Sequence, residues 1–106
     1  MSEVVKSLLI QLETELKQQQ LWSNAAPAEA ALASTYPFCC DTLRPEQWLQ
    51  FVFLPKLWCL LEAGQPLPAK VRVLPYAEEA FKSRGLSVQP LLTLIGRIDN
   101  TLTGPS

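Results

Sequence analysis

The stretch LRPEQWLQFVFLPKLWCLLEAG (residues 43–64) decides the fold. It predicts a helix that starts near Leu43 to Pro45 and ends near Gly64. Pro45 is tolerated in a first turn, where its missing N–H is not needed. Asp41 or Thr42 is the expected cap. The run Trp48-Leu49-Gln50-Phe51-Val52-Phe53-Leu54 is apolar nearly all round, so the helix is central in its domain or meets another chain on one face. It is too short and too interrupted to span a membrane. Pro55 removes one backbone hydrogen bond and crowds the turn before it, which predicts a kink near Val52 to Pro55. On an ideal projection Lys56 falls among Leu49, Val52 and Leu60. Unless the kink changes that phase, Lys56 must snorkel or find a carboxylate.

The flanking segments are helical too. From Glu3 to Gln20, Val5, Leu8, Leu9, Leu12 and Leu16 recur at three- and four-residue spacing, with Lys6, Gln11, Glu13 and Lys17 on the polar back. Gln18 to Gln20 read as a solvated last turn. Ser23, Asn24 and Pro27 break the pattern, and Ala28 to Ala33 suits a short helix. Ser34 to Cys40 reads as an ordered loop, with Tyr36 and Phe38 apolar enough to pack down on the bundle. Gly64 to Pro68 is a turn, and Lys70 to Leu74 an extended connector. A third helix is expected from Pro75 to about Arg84, stopped by Gly85. A fourth follows Ser87 as cap and runs to about Leu102. Its inner face is Val88, Leu91, Leu92, Ile95, Ile98 and Leu102; Gln89, Thr93, Arg97 and Asn100 lie opposite. The fold class is therefore all-α: a single domain, residues 1–106, built as a compact bundle of about four helices around a proline-kinked central one.

Composition narrows the chemistry. Hydrophobic residues at 48% and charged residues at 18% argue against disorder. A net charge of −1 lacks the basic excess that phosphate binding requires, so nucleic acid is disfavoured as the main partner. The N-terminus has neither the basic start nor the uninterrupted apolar stretch of a secretion signal, and no run is long enough to cross a membrane; a cytoplasmic location is expected. Three cysteines, two of them adjacent (Cys39, Cys40 and Cys59), do not suggest a disulfide framework and read as small buried apolar residues.

There is no histidine at all. That removes the commonest general base, the commonest metal ligand and the Ser-His and Cys-His nucleophile systems. Three thiols are one short of a Cys-only zinc site. The carboxylate pairs Glu78–Glu79 and Glu13–Glu15 do not share a helix face, Asp41 and Glu46 suit the start of a helix, and the glycines form no phosphate loop. No catalytic residue, cofactor site or metal site is expected, and the chain is read as not an enzyme. Lys56, Lys70, Arg72, Lys82 and Arg84 are the candidates for a basic patch, with scattered solubility charges as the simpler account.

The aromatics carry more. Trp22, Phe38, Trp48, Phe51, Phe53 and Trp58 gather in or near the central helix. Most must be core. On the ideal projection, however, Gln47, Gln50 and Glu62 share an arc with Leu54, Trp58 and Leu61, and a mixed aromatic and glutamine strip resembles an interface.

At Pro37-Phe38, Asp41-Thr42, Pro45, Trp48-Leu49-Gln50, Pro55, Leu60-Leu61, Pro66-Leu67-Pro68 and Pro75-Tyr76 the chain resembles the YqcC-like family of small gammaproteobacterial proteins. The resemblance runs over nearly the whole chain. It implies a multihelical bundle and no catalytic residue. Because family genes often lie beside a tRNA pseudouridine synthase gene, it also implies an accessory role in tRNA modification.

The expected function is a non-enzymatic protein-interaction module that binds another protein, such as a tRNA pseudouridine synthase. Phe38, Asp41, Trp48, Gln50 and Trp58 are the expected contacts. A homodimer could use the same helix. The alternatives are an RNA-binding helper with converging cations, and a small-molecule-binding bundle with its ligand beneath the Pro55 kink.

Overall fold

The apolar stripe of the first helix becomes the inner wall of the molecule. In the computed structural model, which describes residues 2–68 and 72–103, α1 (Ser2–Gln18) buries Val5, Leu8, Leu9, Leu12 and Leu16. Each fully buried leucine contributes roughly 1.5–3 kcal/mol over an exposed one. Val4 and Ile10 lie off the stripe and are exposed. Gln20 takes φ 60°, and the Leu21 N–H reaches back to the Leu16 carbonyl at 2.9 Å, which closes the helix with a left-handed cap. Gln19 is not simply solvated, since its amide donates to Glu15 and to the Ser87 carbonyl.

After α2 (Glu29–Leu32) and a single 3-10 turn at Pro37–Cys39, the central helical run begins. It consists of α3 (Pro45–Trp48), a π-helical stretch at Leu49–Phe53, and α4 (Leu54–Glu62). The irregularity expected before Pro55 takes the form of this wide turn. The Leu54 N–H bonds to the Leu49 carbonyl, five residues back, and Pro55 sits in the first turn of α4. The π turn inserts one residue, and a helix turns about 100° per residue. Lys56 is thereby carried off the Leu49 face and is exposed, while Leu57 takes the inward place.

The expected caps differ. Arg44 precedes α3, and its N–H donates to Gln47 Oε1 at 2.9 Å. Asp41 accepts from Ser34 Oγ and Thr42 donates to the Ala31 carbonyl, so both brace the preceding loop. Gly64, at φ 65°, ends α4 with the same left-handed cap as α1.

The third helix is shorter than expected. α5 (Leu74–Ala80) gives way to a 3-10 stretch at Lys82–Val88, where Gly85 turns the chain at φ 68°. Of the predicted connector, Lys70 and residue 71 lie outside the described residues, and its last residue, Leu74, already begins α5. α6 (Gln89–Thr103) buries Leu91, Leu94, Ile95, Ile98 and Leu102. It packs along α1 and carries α5, while α4 also touches α1. Ser87 does not act as a plain cap; its hydroxyl donates to the Arg84 carbonyl. One apolar cluster joins α1, the central run, α5 and α6. Among the described residues there is no strand, and no helix is long and apolar enough to cross a membrane.

Candidate functional site

The 3-10 turn, α3 and α5 converge on three aromatic rings. Phe38 and Cys39 both adopt left-handed backbone, with φ 58° and 50°. For residues with a Cβ this conformation costs roughly 1–2 kcal/mol each, so the surroundings must enforce it. They do so through stacking. The Phe38 ring lies flat on Tyr76, with centroids 4.1 Å apart and planes 2° from parallel. Trp48 meets Phe38 edge-on at 4.9 Å and packs against Phe53 at 5.4 Å. Such pairs contribute about 0.5–1.5 kcal/mol beyond the area they bury.

A pocket of ≈ 380 Å³ opens beside this cluster. Phe53, Leu57 and Val73 form its buried floor, and Phe38, Trp48 and Val52 its half-buried walls. Lys56 and Arg72 are exposed and also line it. The opening therefore lies at the π stretch, next to Pro55, and combines apolar walls with two cations.

Near the rings one carboxylate is buried between two cations. Glu46 is only 7% exposed, with Arg84 at 3.7 Å and Arg44 at 3.8 Å. The Arg84 contact ties the start of α3 to the 3-10 stretch after α5. Tyr76 is pushed up to about 12 from 10.0, first by burial and then by the negative charge of Cys40, Glu46 and Cys39. Its phenol is therefore neutral in the physiological range and does not act as a base there.

The expected contact residues separate. Phe38 and Trp48 come together and line the pocket. Trp58 is half-buried against the core and does not line it. Asp41 is exposed but engaged with Ser34. Gln50 is a correction: it is 7% exposed, and its amide both accepts from the Ser23 N–H at 2.7 Å and donates to the Ser23 carbonyl at 2.8 Å. Leu54, on the same projected arc, is 3% exposed, so the glutamine strip faces inward over that part. Tyr36 is 59% exposed rather than packed down. The cysteines are buried as expected only at Cys39; Cys40 and Cys59 are exposed instead, and all three are free.

The basic candidates also divide. Lys82 pairs with Glu79 at 2.6 Å, and Arg84 faces Glu46. Lys70 lies outside the described residues, while Lys56 and Arg72 share the pocket. Tyr76 was missed as a site residue. Pro75-Tyr76 carries the family resemblance, but nothing local reveals a stacking partner 38 positions earlier in the chain.

Known proteins resemble this chain. Residues 4–101 match the DUF446 family, described as tRNA pseudouridine synthase C. An uncharacterized protein of Haemophilus influenzae is 43% identical over 93 residues, covering 88% of this chain and 87% of that one. YqcC of Escherichia coli is 42% identical over 77 residues, 73% of this chain and 71% of its own length. Its solution NMR structure matches the fold with a TM-score of 0.86 at 32% identity, covering 99% of this chain and 90% of that one. A tRNA pseudouridine synthase C of Pectobacterium carotovorum subsp. carotovorum is 42% identical over 64 residues, 60% of this chain but 17% of that protein.

Proposed function

The chain belongs to the YqcC-like DUF446 family, and from that membership we propose a non-enzymatic accessory protein that binds a tRNA pseudouridine synthase. One observation carries the reading. A segment similar to most of this chain occupies 17% of a protein named tRNA pseudouridine synthase C. Joining two modules in one chain raises their effective concentration to about the millimolar range, which is useful where they act together. Modules that act together in this way meet through a surface of each.

The aromatic corner suits that task. Phe38 and Trp48 are half-buried, meet edge-on and sit at an opening, as interface anchors do. The absence of histidine in the sequence supports an adaptor rather than a catalyst.

The test combines the purified chain with the tRNA pseudouridine synthase of its own host. Calorimetry is run with and without nuclease treatment, and pseudouridine formation is followed with and without the chain. A stoichiometric complex that survives nuclease, with a changed rate on tRNA, supports the reading. No complex and an unchanged rate would discard it. A complex that requires tRNA would favour an RNA-binding helper.

A further inference from the structure

The pocket beside the aromatic corner has a chemistry of its own. Its floor and walls are apolar, and the two charged side chains that line it among the described residues, Lys56 and Arg72, are both cations. Neither has a carboxylate within ion-pair distance among the described residues, and no acidic residue among them lines the opening. Elsewhere on the surface Lys17 pairs with Glu13 and Lys82 with Glu79. An apolar hollow rimmed by unpaired cations is complementary to an apolar group that carries negative charge beside it.

Size agrees with that description. A cavity of about 150 Å³ holds one benzene ring. The ≈ 380 Å³ here therefore accepts a large side chain together with adjoining backbone and a carboxylate. It lies near the lower end of the roughly 300–1,000 Å³ typical of binding pockets.

A nucleotide fits less well. Stacking a base requires a free aromatic face, and one face of Phe38 is covered by Tyr76 at 4.1 Å while Trp48 meets the same ring edge-on. Phosphate binding also draws on more positive charge than a chain of net charge −1 provides.

We propose that this pocket receives an acidic segment of the partner protein. One apolar side chain of that segment enters between Phe38, Trp48 and Val52, and neighbouring carboxylates pair with Lys56 and Arg72. The proposal rests on the accessory reading above and specifies the chemistry of the surface that the synthase presents. The two cations guide approach and select charge, while the rings supply the buried anchor contact.

The experiment measures binding of the host tRNA pseudouridine synthase to the wild-type chain, to a K56E/R72E double variant and to an R97E control. Lys56 and Arg72 are exposed, so their reversal keeps the core intact; Arg97 is exposed on α6 and does not line the pocket. The expected result is at least about tenfold weaker binding for the double variant, no change for R97E, and a wild-type affinity that falls with salt. Equal binding by all three chains would overturn the pocket assignment and leave the accessory reading standing. No binding by the wild type would overturn both. A loss on charge reversal that appears only when tRNA is present would make phosphate the occupant and overturn the proposal in favour of an RNA contact.

Discussion

The side-chain amide of Gln50 clamps the backbone of Ser23, with Oε1 accepting from its N–H at 2.7 Å and Nε2 donating to its carbonyl at 2.8 Å. This is the pairing of one strand residue with another, made here by a side chain in the π stretch. It holds the segment after α1 against the central run, 27 residues away in sequence. Gln50→Ala leaves both backbone groups in a part-buried site without that partner, and a loss of about 1–3 kcal/mol in stability is expected. Gln50→Glu should cost at least as much, because a carboxylate cannot donate to the Ser23 carbonyl and meets it with like charge. Urea melts of the three chains measure this. Variants as stable as the wild type would return Gln50 to the list of interface candidates.

Asp99 does for α5 what Gln50 does for the segment after α1. Buried on α6, it accepts the Val73 N–H at 3.0 Å and the Leu74 N–H at 2.8 Å. Backbone donors at a helix start lack intrahelical partners, and a carboxylate also complements the positive end of the helix. Asp99→Ala should destabilise the chain by about 1–3 kcal/mol. Asp99→Asn retains one carbonyl oxygen but turns an N–H₂ toward the second donor, so it should recover little. Thermal melts, with amide exchange at Leu74 as the local readout, decide it. Unchanged exchange at Leu74 in the alanine variant would contradict the capping role.

The two left-handed helix ends give opposite expectations. Gln20, at φ 60°, occupies a place that glycine fills more cheaply, and its side chain makes no hydrogen bond among the described residues. Gln20→Gly should therefore gain up to about 1 kcal/mol. Gly64 holds φ 65° with open space where a Cβ would point. Gly64→Ala should cost about 1 kcal/mol through the backbone alone. Paired denaturation curves check the signs. If Gln20→Gly destabilised the chain, the left-handed cap of α1 would not be the feature that governs that end.

What the sequence conveyed depended on distance along the chain. The α1 stripe of Val5, Leu8, Leu9, Leu12 and Leu16 is buried as read, because helical period is a local property. Gln89, Thr93, Arg97 and Asn100 are exposed on α6 for the same reason. Pro55 indicated where the central ladder would fail but not how. An ideal projection therefore turned Lys56 inward and Gln50 outward, whereas Lys56 is exposed beyond the π turn and Gln50 is buried against Ser23. Ser23 for Gln50, Val73 for Asp99 and Phe38 for Tyr76 are partners 27, 26 and 38 positions away, and no local pattern encodes such meetings. The pocket was not legible for both reasons, since its lining joins Lys56, beyond the π turn, to Phe38, which stacks on the distant Tyr76.

The same stack makes stability respond to alkaline pH. Burial and the neighbouring negative charges raise Tyr76 to about 12, against 10.0 for an ordinary tyrosine. Between those values the folded chain keeps a proton that the unfolded chain has released. Stability is therefore fully present below pH 10, falls as pH rises, and levels off beyond about 12. Tyr76→Phe keeps the ring on Phe38 and removes the titrating hydroxyl, for which no hydrogen bond is recorded among the described residues. At neutral pH the variant should melt close to the wild type. In alkaline buffer it should lose less stability, and the difference between the two curves isolates this residue from the rest of the chain. In a Tyr36→Phe background the tyrosinate absorbance comes from Tyr76 alone and should rise only toward the upper end of the window. A rise near pH 10, or parallel alkaline losses in wild type and Tyr76→Phe, would mean that the phenol is open to water and that Phe38 does not cover it.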